Sequence, residues 1–157
     1  DRNKSCKVAA SAAIFSLGGL SMKLTLHHVN VATDNVERMD QFYADVLGLP
    51  EEEAQNRPKR EMNKGFSGAV TFRHDGDTQF HLAQKDMELG IRTGNFVNPL
   101  HQGHVAFRTD DIEAFKKHLE SKNIPYSDYG HVAAAEWHQI FFYDPDGNVI
   151  EVHQVKE

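Results

Sequence analysis

Four residues with metal-binding side chains occupy matching places in two stretches of the chain. They are His28, His81, His104 and Glu151. Imidazole is the commonest protein ligand for metals, and ten histidines occur among the 157 residues. The single cysteine, Cys6, excludes an intrachain disulfide and a zinc site built from several thiolates. Any metal ion would therefore be held by imidazole and carboxylate groups.

An internal repeat relates these four residues to one another. Residues 27–36 (HHVNVATDNV) align without gaps onto residues 103–112 (GHVAFRTDDI), at an offset of 76 residues. Residues 80–84 (FHLAQ) correspond in the same way to residues 150–154 (IEVHQ). His28 is thus the counterpart of His104, and His81 is the counterpart of Glu151. A duplication of this kind is typical of a fold built from two similar units.

Each copy of the repeat shows the same order of predicted elements. Apolar residues alternate up to a Thr-Asp pair, which predicts a half-buried strand. An N-cap follows, Asp34 or Asn35 in one copy and Asp110 or Asp111 in the other, before apolar residues at helical spacing. Each copy ends in a hairpin with an Asp/Gly turn. The sequence therefore predicts an α+β fold of two tandem β-α-β-β-β modules, with the strand after each helix, in 51–63 and 126–134, the least well marked.

These patterns divide the chain into four parts. Residues 22–84 form the first predicted module, residues 85–102 a linker, and residues 103–157 the second module. Residues 1–21 are interpreted as a leader or a non-native extension, because Lys4 and Lys7 precede a short apolar run. A native start at Met22 is favoured, which predicts a cytoplasmic protein. The alternative is an exported protein that retains a remnant of a signal peptide.

The charge balance limits the classes of partner. The formal net charge is −6, with 17 basic and 23 acidic side chains. A negative protein is not attracted to phosphate backbones or anionic lipid. We therefore expect no nucleic-acid partner and no membrane, and a function in small-molecule chemistry.

Strand periodicity predicts where the four residues point. Because alternate side chains of a strand share a face, His28 lies opposite the apolar Val29 and Val31. The same parity separates His104, His81 and Glu151 from their apolar neighbours. If the two copies pair about a pseudo-twofold axis, the four side chains converge on one concave face. Such a set suits one divalent Fe, Mn, Ni, Co or Zn ion. A fourth protein ligand, His81, would close a coordination position, so its role as a ligand is left open.

An isolated histidine on a strand is usually an ordinary half-exposed residue, and most of the others are interpreted in that way. His153 is an exception, because it shares a face with Glu151 and could orient a ligand or transfer a proton. Two more could line a pocket, namely His131 and His138. Four are assigned no function: His27, His74, His101 and His118.

These motifs resemble the vicinal oxygen chelate superfamily, which contains glyoxalases, bleomycin-resistance proteins and extradiol dioxygenases. The resemblance rests on residues 26–29 (LHHV), 42–49 (FYADVLGL), 103–107 (GHVAF) and 142–151 (FYDPDGNVIE). It implies two modules in a cupped mixed sheet around a divalent metal, commonly in a homodimer. The metal ligands of the family fall on His28, His104 and Glu151, and the remaining position falls on His81.

The resemblance implies a metal-dependent lyase or isomerase that chelates a small substrate through two neighbouring oxygens. Glu151, or a metal-bound hydroxide, would then move a proton. An Fe(II) extradiol-type dioxygenase acting on a catechol is one alternative, and a non-catalytic, resistance-type binding protein is another, so an enzyme is expected but not settled. The expected substrate-binding residues favour a small oxygenated or aromatic compound. They are Asn30, Arg108, Gln139, Phe141 and His153.

Overall fold

The strands that begin the two repeats lie side by side at the centre of the molecule. In the computed structural model, which describes residues 12–17, 20–60, 65–132 and 134–156, these are β2 (Leu20–Thr33) and β5 (Gly103–Thr109). They pair antiparallel, with Val29 opposite its repeat counterpart Val105. A pseudo-twofold relation between the modules therefore passes through this pair, as the repeat predicts.

The remaining strands extend the sheet outward from this centre. They are β1 (Ala13–Leu17), β3 (Val70–His74), β4 (Gln79–Gln84), β6 (Tyr126–Gly130), β7 (Trp137–Tyr143) and β8 (Val149–Val155). The strand order is β3-β4-β2-β5-β8-β7-β6, and β1 pairs with β2. β2 runs parallel to β4, and β5 runs parallel to β8, while the other pairs are antiparallel. The described part of the chain thus forms one curved, mixed, eight-stranded sheet, which confirms the predicted α+β class.

Two helices follow the central strands, as the repeat predicts. α1 (Val36–Asp45) begins at Asn35, whose side chain accepts a hydrogen bond from the Arg38 amide. α3 (Ile112–Ser121) begins at Asp111, whose side chain accepts from the Ala114 amide. Of the alternative caps, the second residue of each pair is therefore the one used. A side-chain oxygen at this position satisfies an amide that the helix leaves free.

The long strand β2 changes its buried face part-way along. Met22 is buried beneath α3, with Ile112, Phe115 and Val152. The register to β5 then shifts between Leu26 and His28, which leaves His27 as the extra residue of a bulge. Beyond the bulge, His28 and Asn30 are buried in the concave face. One strand therefore contributes to a core on each side of the sheet.

The connection between the modules is more than a surface linker. It contains a short helix, α2 (Leu89–Thr93), and three of its residues are fully or nearly fully buried, Leu89, Val97 and Leu100. They join a cluster on the concave side with Phe66, Ala83, Tyr129 and Phe141. This segment closes one side of the concave face.

Two sequence-based boundaries differ from the structure. In residues 51–63 the expected strand is reduced to one bridge, Glu51 to Arg73, and a 3₁₀ turn at Ala54–Asn56, with residues 61–64 outside the described part. The polar, charged composition of this segment explains why it does not extend the sheet. Residues 1–21, interpreted from the sequence as a leader or a non-native extension, include the strand Ala13–Leu17, which pairs with β2. Residues 1–11 and 18–19 lie outside the described residues.

Among the described residues, the longest helices have ten residues, and none is long and apolar enough to span a membrane.

Candidate metal centre

Three side chains predicted as ligands meet where β2, β5 and β8 lie side by side. His104 Nε2 is 2.9 Å from Glu151 Oε2, and His28 Nε2 is 3.5 Å from the same oxygen. The two Nε2 atoms are 3.4 Å apart. Donor atoms bound to one ion at about 2.1 Å, at angles of about 90–110°, are roughly 3.0–3.4 Å apart. The three atoms therefore have the spacing of one face of a coordination polyhedron.

The hydrogen bonds of His104 show that its inner nitrogen faces an acceptor. Its Nδ1 lies 2.9 Å from the Pro99 carbonyl oxygen, which can only accept, so Nδ1 carries the hydrogen. In the neutral ring, Nε2 is then a lone pair that faces Glu151 Oε2, an oxygen buried without a hydrogen-bond partner in the described structure. Two acceptors at this distance repel each other unless a cation joins them. A proton would satisfy this one contact, whereas a divalent ion would satisfy all three atoms.

The other oxygen of Glu151 is held in place by donors. Gln139 Nε2 donates to Oε1 over 3.0 Å, and His153 Nδ1 donates to it over 2.8 Å. Burial on its own raises the pKa of Glu151, but its interactions with His28, His104 and His153 outweigh burial and hold the pKa well below the usual value. Glu151 is therefore an ionised carboxylate with one oxygen fixed and the other available.

His28 is a neutral imidazole between two other rings. Burial lowers its pKa to about 4, although the Glu151 carboxylate opposes the shift. The His81 ring stacks on it at 3.8 Å between centroids, and Nε2 of His81 lies 2.9 Å from Gln79 Oε1. Since that oxygen is an acceptor, the Nε2 of His81 is a donor that is not free to bind an ion. The structure thus places His81 against a ligand rather than among the three closest atoms.

A second group of ligand atoms overlaps the first. His28, Glu151 and His153 each offer one atom within 4.8 Å of the others. However, Arg108 Nε donates to Nε2 of His153 over 3.1 Å, while Nδ1 of His153 donates to Glu151. Both nitrogens of His153 are therefore occupied. The set His28, His104 and Glu151 fits a metal ion better, and His153 orients the carboxylate from behind.

Arg108 and His27 lie behind the three ligands rather than in front of them. Arg108 Nη2 is 2.8 Å from His27 Nε2, and the guanidinium lies 5.3 Å from the centre of the Trp137 ring. His27 Nδ1 is in turn 2.9 Å from His28 Nδ1. Strand alternation predicts no role for His27, because in an unbroken strand this residue lies on the other face. The bulge in β2 turns it toward His28, and no pattern in the sequence marks that bulge.

A small cavity opens in front of the ligands. It has a volume of about 70 Å³. Its walls include all four predicted metal ligands and three of the expected substrate-binding residues, Asn30, Gln139 and Phe141. Phe72 and Tyr129 also line the cavity, although no sequence pattern indicates them. Arg108 and His153, expected to contact substrate, are not among the lining residues, and His131 and His138 line a separate surface depression.

The fold and this arrangement correspond to a known family. The family model for the Glyoxalase/Bleomycin resistance protein/Dioxygenase superfamily matches residues 25–152. The chain belongs to this superfamily. The match covers both repeats, which confirms the resemblance seen in the sequence motifs.

Individual relatives are more distant. The chain is 29% identical to "Glyoxylase I 4" of Arabidopsis thaliana over 130 residues, which are 82% of this chain and 69% of the relative. It is 24% identical to the uncharacterized protein YaeR of Escherichia coli (strain K12) over 129 residues, which are 82% of this chain and 95% of that protein.

Solved structures share the architecture. Methylmalonyl-CoA epimerase from Mycobacterium tuberculosis superimposes with a TM-score of 0.61 at 18% identity, covering 84% of this chain and 88% of the epimerase. A hypothetical protein, BH1468 from Bacillus halodurans C-125, gives a TM-score of 0.63 at 18% identity, covering 85% of this chain and 96% of that one. Likeness at this identity supports the fold alone.

Proposed function

We propose that this protein is a divalent-metal-dependent lyase or isomerase acting on a small substrate that binds through two neighbouring oxygens. The observation that carries the proposal is the convergence of three buried ligand atoms: Glu151 Oε2 lies 2.9 Å from His104 Nε2 and 3.5 Å from His28 Nε2, and it has no hydrogen-bond partner in the described structure. One cation would bind all three atoms.

In this proposal the ion is held by His28 Nε2, His104 Nε2 and Glu151 Oε2. Two imidazoles and one carboxylate suit Fe(II), Mn(II), Ni(II), Co(II) or Zn(II). A bound ion of this kind supplies Lewis acidity, which stabilises negative charge on substrate oxygens.

Glu151 is assigned the transfer of a proton from a substrate carbon. Gln139 and His153 hold its Oε1, so Oε2, the oxygen that would also hold the ion, is the one that can take up the proton. The lowered pKa keeps the carboxylate unprotonated at neutral pH and therefore able to accept a proton.

The cavity walls favour a small compound that carries a hydroxyl or a similar donor. Asn30 Oδ1 and Gln139 Oε1 are buried acceptors without a hydrogen-bond partner in the described structure. An unpaired buried acceptor costs free energy that a substrate O–H would recover. Aromatic walls, Phe72 and Phe141 among them, and a volume of about 70 Å³ favour a compact oxygenated substrate.

Elemental analysis of the purified protein tests the metal site. We expect about one divalent ion per chain, and loss of at least about 100-fold in affinity for Co(II) or Zn(II) in Glu151→Gln and in His104→Ala. Glu136→Gln is the matched control, because Glu136 is a partly exposed surface carboxylate that pairs with Lys59. Undiminished metal content in both site variants would contradict the proposal.

Reaction type is tested by supplying defined ions to the metal-free protein. Turnover of a 2-oxoaldehyde hemithioacetal with Ni(II) or Zn(II), lost in Glu151→Gln, supports the lyase or isomerase. Oxygen consumption with a catechol and Fe(II) would instead support an extradiol-type dioxygenase. That second candidate is favoured by the same two-histidine, one-carboxylate set, which is common in non-haem iron enzymes. Tight binding of an aromatic ligand to the metal-free protein, without turnover, would indicate a resistance-type binding protein.

We also propose that the chain forms a homodimer through the outer face around α1. Apolar side chains there are half exposed or more, namely Phe42, Val46 and Leu47. Exposed apolar side chains that lie close together along the chain are typical of an interaction site. Sedimentation analysis should give twice the chain mass for the wild type and a shift toward the monomer for Phe42→Ser; a monomeric wild type would refute the dimer.

A further inference from the structure

A continuous chain of hydrogen bonds runs through the candidate metal centre. Arg108 Nη2 contacts His27 Nε2 at 2.8 Å, and His27 Nδ1 contacts His28 Nδ1 at 2.9 Å. His28 Nε2 then contacts His104 Nε2 at 3.4 Å, and His104 Nδ1 contacts the Pro99 carbonyl oxygen at 2.9 Å. Three imidazoles thus connect a guanidinium to a backbone carbonyl.

The two ends of this chain fix the direction of every bond in it. A guanidinium only donates and a carbonyl only accepts, while a neutral imidazole donates once and accepts once. The geometry also excludes an imidazolium at either ring, because a protonated His27 would turn Nε2–H toward the Arg108 guanidinium, and a protonated His28 would turn Nδ1–H toward the Nδ1–H of His27. The hydrogen therefore lies on Nδ1 of His27, on Nε2 of His28 and on Nδ1 of His104.

This order conflicts with metal binding at His28. A metal ligand needs a free lone pair, and a ligand histidine normally carries its hydrogen on the other ring nitrogen. To free Nε2, His28 must carry its hydrogen on Nδ1, and His27 must carry its own on Nε2. Each ring still holds one hydrogen, so no net proton is lost. Nε2–H of His27 then faces the donor group of Arg108, and that contact must break.

We propose that Arg108 is a positioning residue that holds His28 in the tautomer unable to bind a metal ion, and that it releases His27 when the ion loads. This inference rests on the proposed metal site. The second contact of Arg108 does not need to change, because its Nε donates to His153, whose Nδ1 continues to donate to Glu151. Arg108 therefore acts on the two sides of the site differently: it supports the carboxylate and restrains the first histidine.

The tautomers can be read directly in the metal-free protein by long-range proton–nitrogen correlation NMR. We expect Nε2–H for His28 and Nδ1–H for His27 in the wild type. Arg108→Met keeps the apolar stem and removes the donors, so it should convert both rings to mixed tautomers. Arg92→Met, which removes a guanidinium on α2 that pairs with Asp86, is the matched control and should leave them unchanged. Nδ1–H on His28 in the wild type, or no change in Arg108→Met, overturns the proposal.

Metal affinity gives the second measurement, by competition of Zn(II) against a chromophoric chelator. His27→Asp replaces the donor by an acceptor that favours Nδ1–H on His28. This variant should bind Zn(II) about tenfold more tightly, since partners behind a ligand change metal affinity by about 10–100-fold. Equal or weaker binding in this variant overturns the proposal. A wild type that binds no ion would refute the metal site, whereas the tautomer measurement would still decide the direction of the chain.

Discussion

The two repeats start their helices alike but hold them in different ways. Asn35 and Asp111 cap α1 and α3 with the same side-chain hydrogen bond, 2.9 Å in each case. In α3, three residues are buried in the core beneath it, whereas no residue of α1 is buried. α1 is fastened instead by an ion pair, in which Arg73 donates from Nε and Nη2 to the two oxygens of Asp40. A duplication can thus preserve how a helix begins while its anchorage diverges.

The largest difference between the modules should appear when one aromatic residue is truncated in each helix. Phe115 is 5% exposed, and Phe42 is 50% exposed. We expect Phe115→Ala to lower the free energy of unfolding by about 3–5 kcal/mol, because it leaves a cavity in a packed core. Phe42→Ala should cost less than about 1 kcal/mol in the monomer. Urea unfolding at a protein concentration where the chain is monomeric measures both, and equal losses would contradict the asymmetry.

Acid should destabilise the metal-free protein in two stages. The pKa of His28, in the first module, is lowered to about 4 from the ordinary 6.5, so the unfolded chain binds more protons between these values. The contribution of His28 to stability is therefore fully present above about pH 6.5 and is lost as the pH falls toward 4. Glu151, in the second module, has a lowered pKa and adds a loss only below about pH 4.5. Denaturant titrations from pH 8 to pH 3 should show a few kcal/mol lost in the first stage.

Two variants test which residue contributes to each stage of the loss of stability in acid. His28→Asn should reduce the dependence of stability on pH between about 6.5 and 4 without abolishing it, because the pKa values of His27, His81 and His153 are lowered as well. Glu151→Gln should reduce the dependence below about 4.5. Unchanged profiles in both would show that other groups cause the acid loss.

The ion pair of α1 should matter less than the core of α3, and its effect should depend on salt. Asp40→Asn removes a pair whose side chains are 22% and 14% exposed, and we expect a loss of about 1 kcal/mol at low salt. Raising the NaCl concentration to 1 M should reduce the difference from the wild type, since screening weakens partly exposed pairs. Lys116→Met, which removes the pair from α3 to Asp128, is the counterpart in the second module. A larger loss for Lys116→Met than for Asp40→Asn would reverse the comparison.

The two caps should have equal effects, no larger than that of the ion pair. Asn35→Ala and Asp111→Ala each remove one side-chain acceptor from an otherwise free amide, at an expected cost of about 1 kcal/mol. Thermal unfolding of the two variants should therefore coincide. A clear difference would show that capping, like anchorage, has diverged between the modules.

The sequence predicts the central residues of the site because strand alternation and the internal repeat agree there. Strand alternation assigned His28 and His104 to a common face, and the offset of the repeat paired the strands that carry them. The structure brings both residues to Glu151, and Val29 lies directly opposite Val105. Strand alternation is a local signal and the internal repeat is a periodic one, and a single sequence contains both.

The parts that sequence reasoning missed depend on irregular backbone or on contacts between distant segments. The bulge that turns His27 toward His28 leaves no mark in the hydrophobic pattern. Arg108 alternates correctly with Phe107, but its guanidinium reaches over Trp137 to His153 rather than into the cavity. The glycines and proline of residues 85–102 predict a linker, although this segment buries Leu89 and Val97 in the concave cluster. Such placements follow from tertiary packing.

The counterpart of His27 in the second repeat is Gly103, and the two positions tolerate different residues. Gly103 has φ +106°, and a Cβ built there would lie 2.1 Å from the Asn30 carbonyl oxygen. A side chain is therefore incompatible with this site, whereas the bulge gives His27 room for an imidazole. Glycine suits both positions and histidine suits only one. If the two halves descend from one ancestral module, this position has since diverged in backbone as well as in side chain, and only the first half can place a histidine behind its ligand.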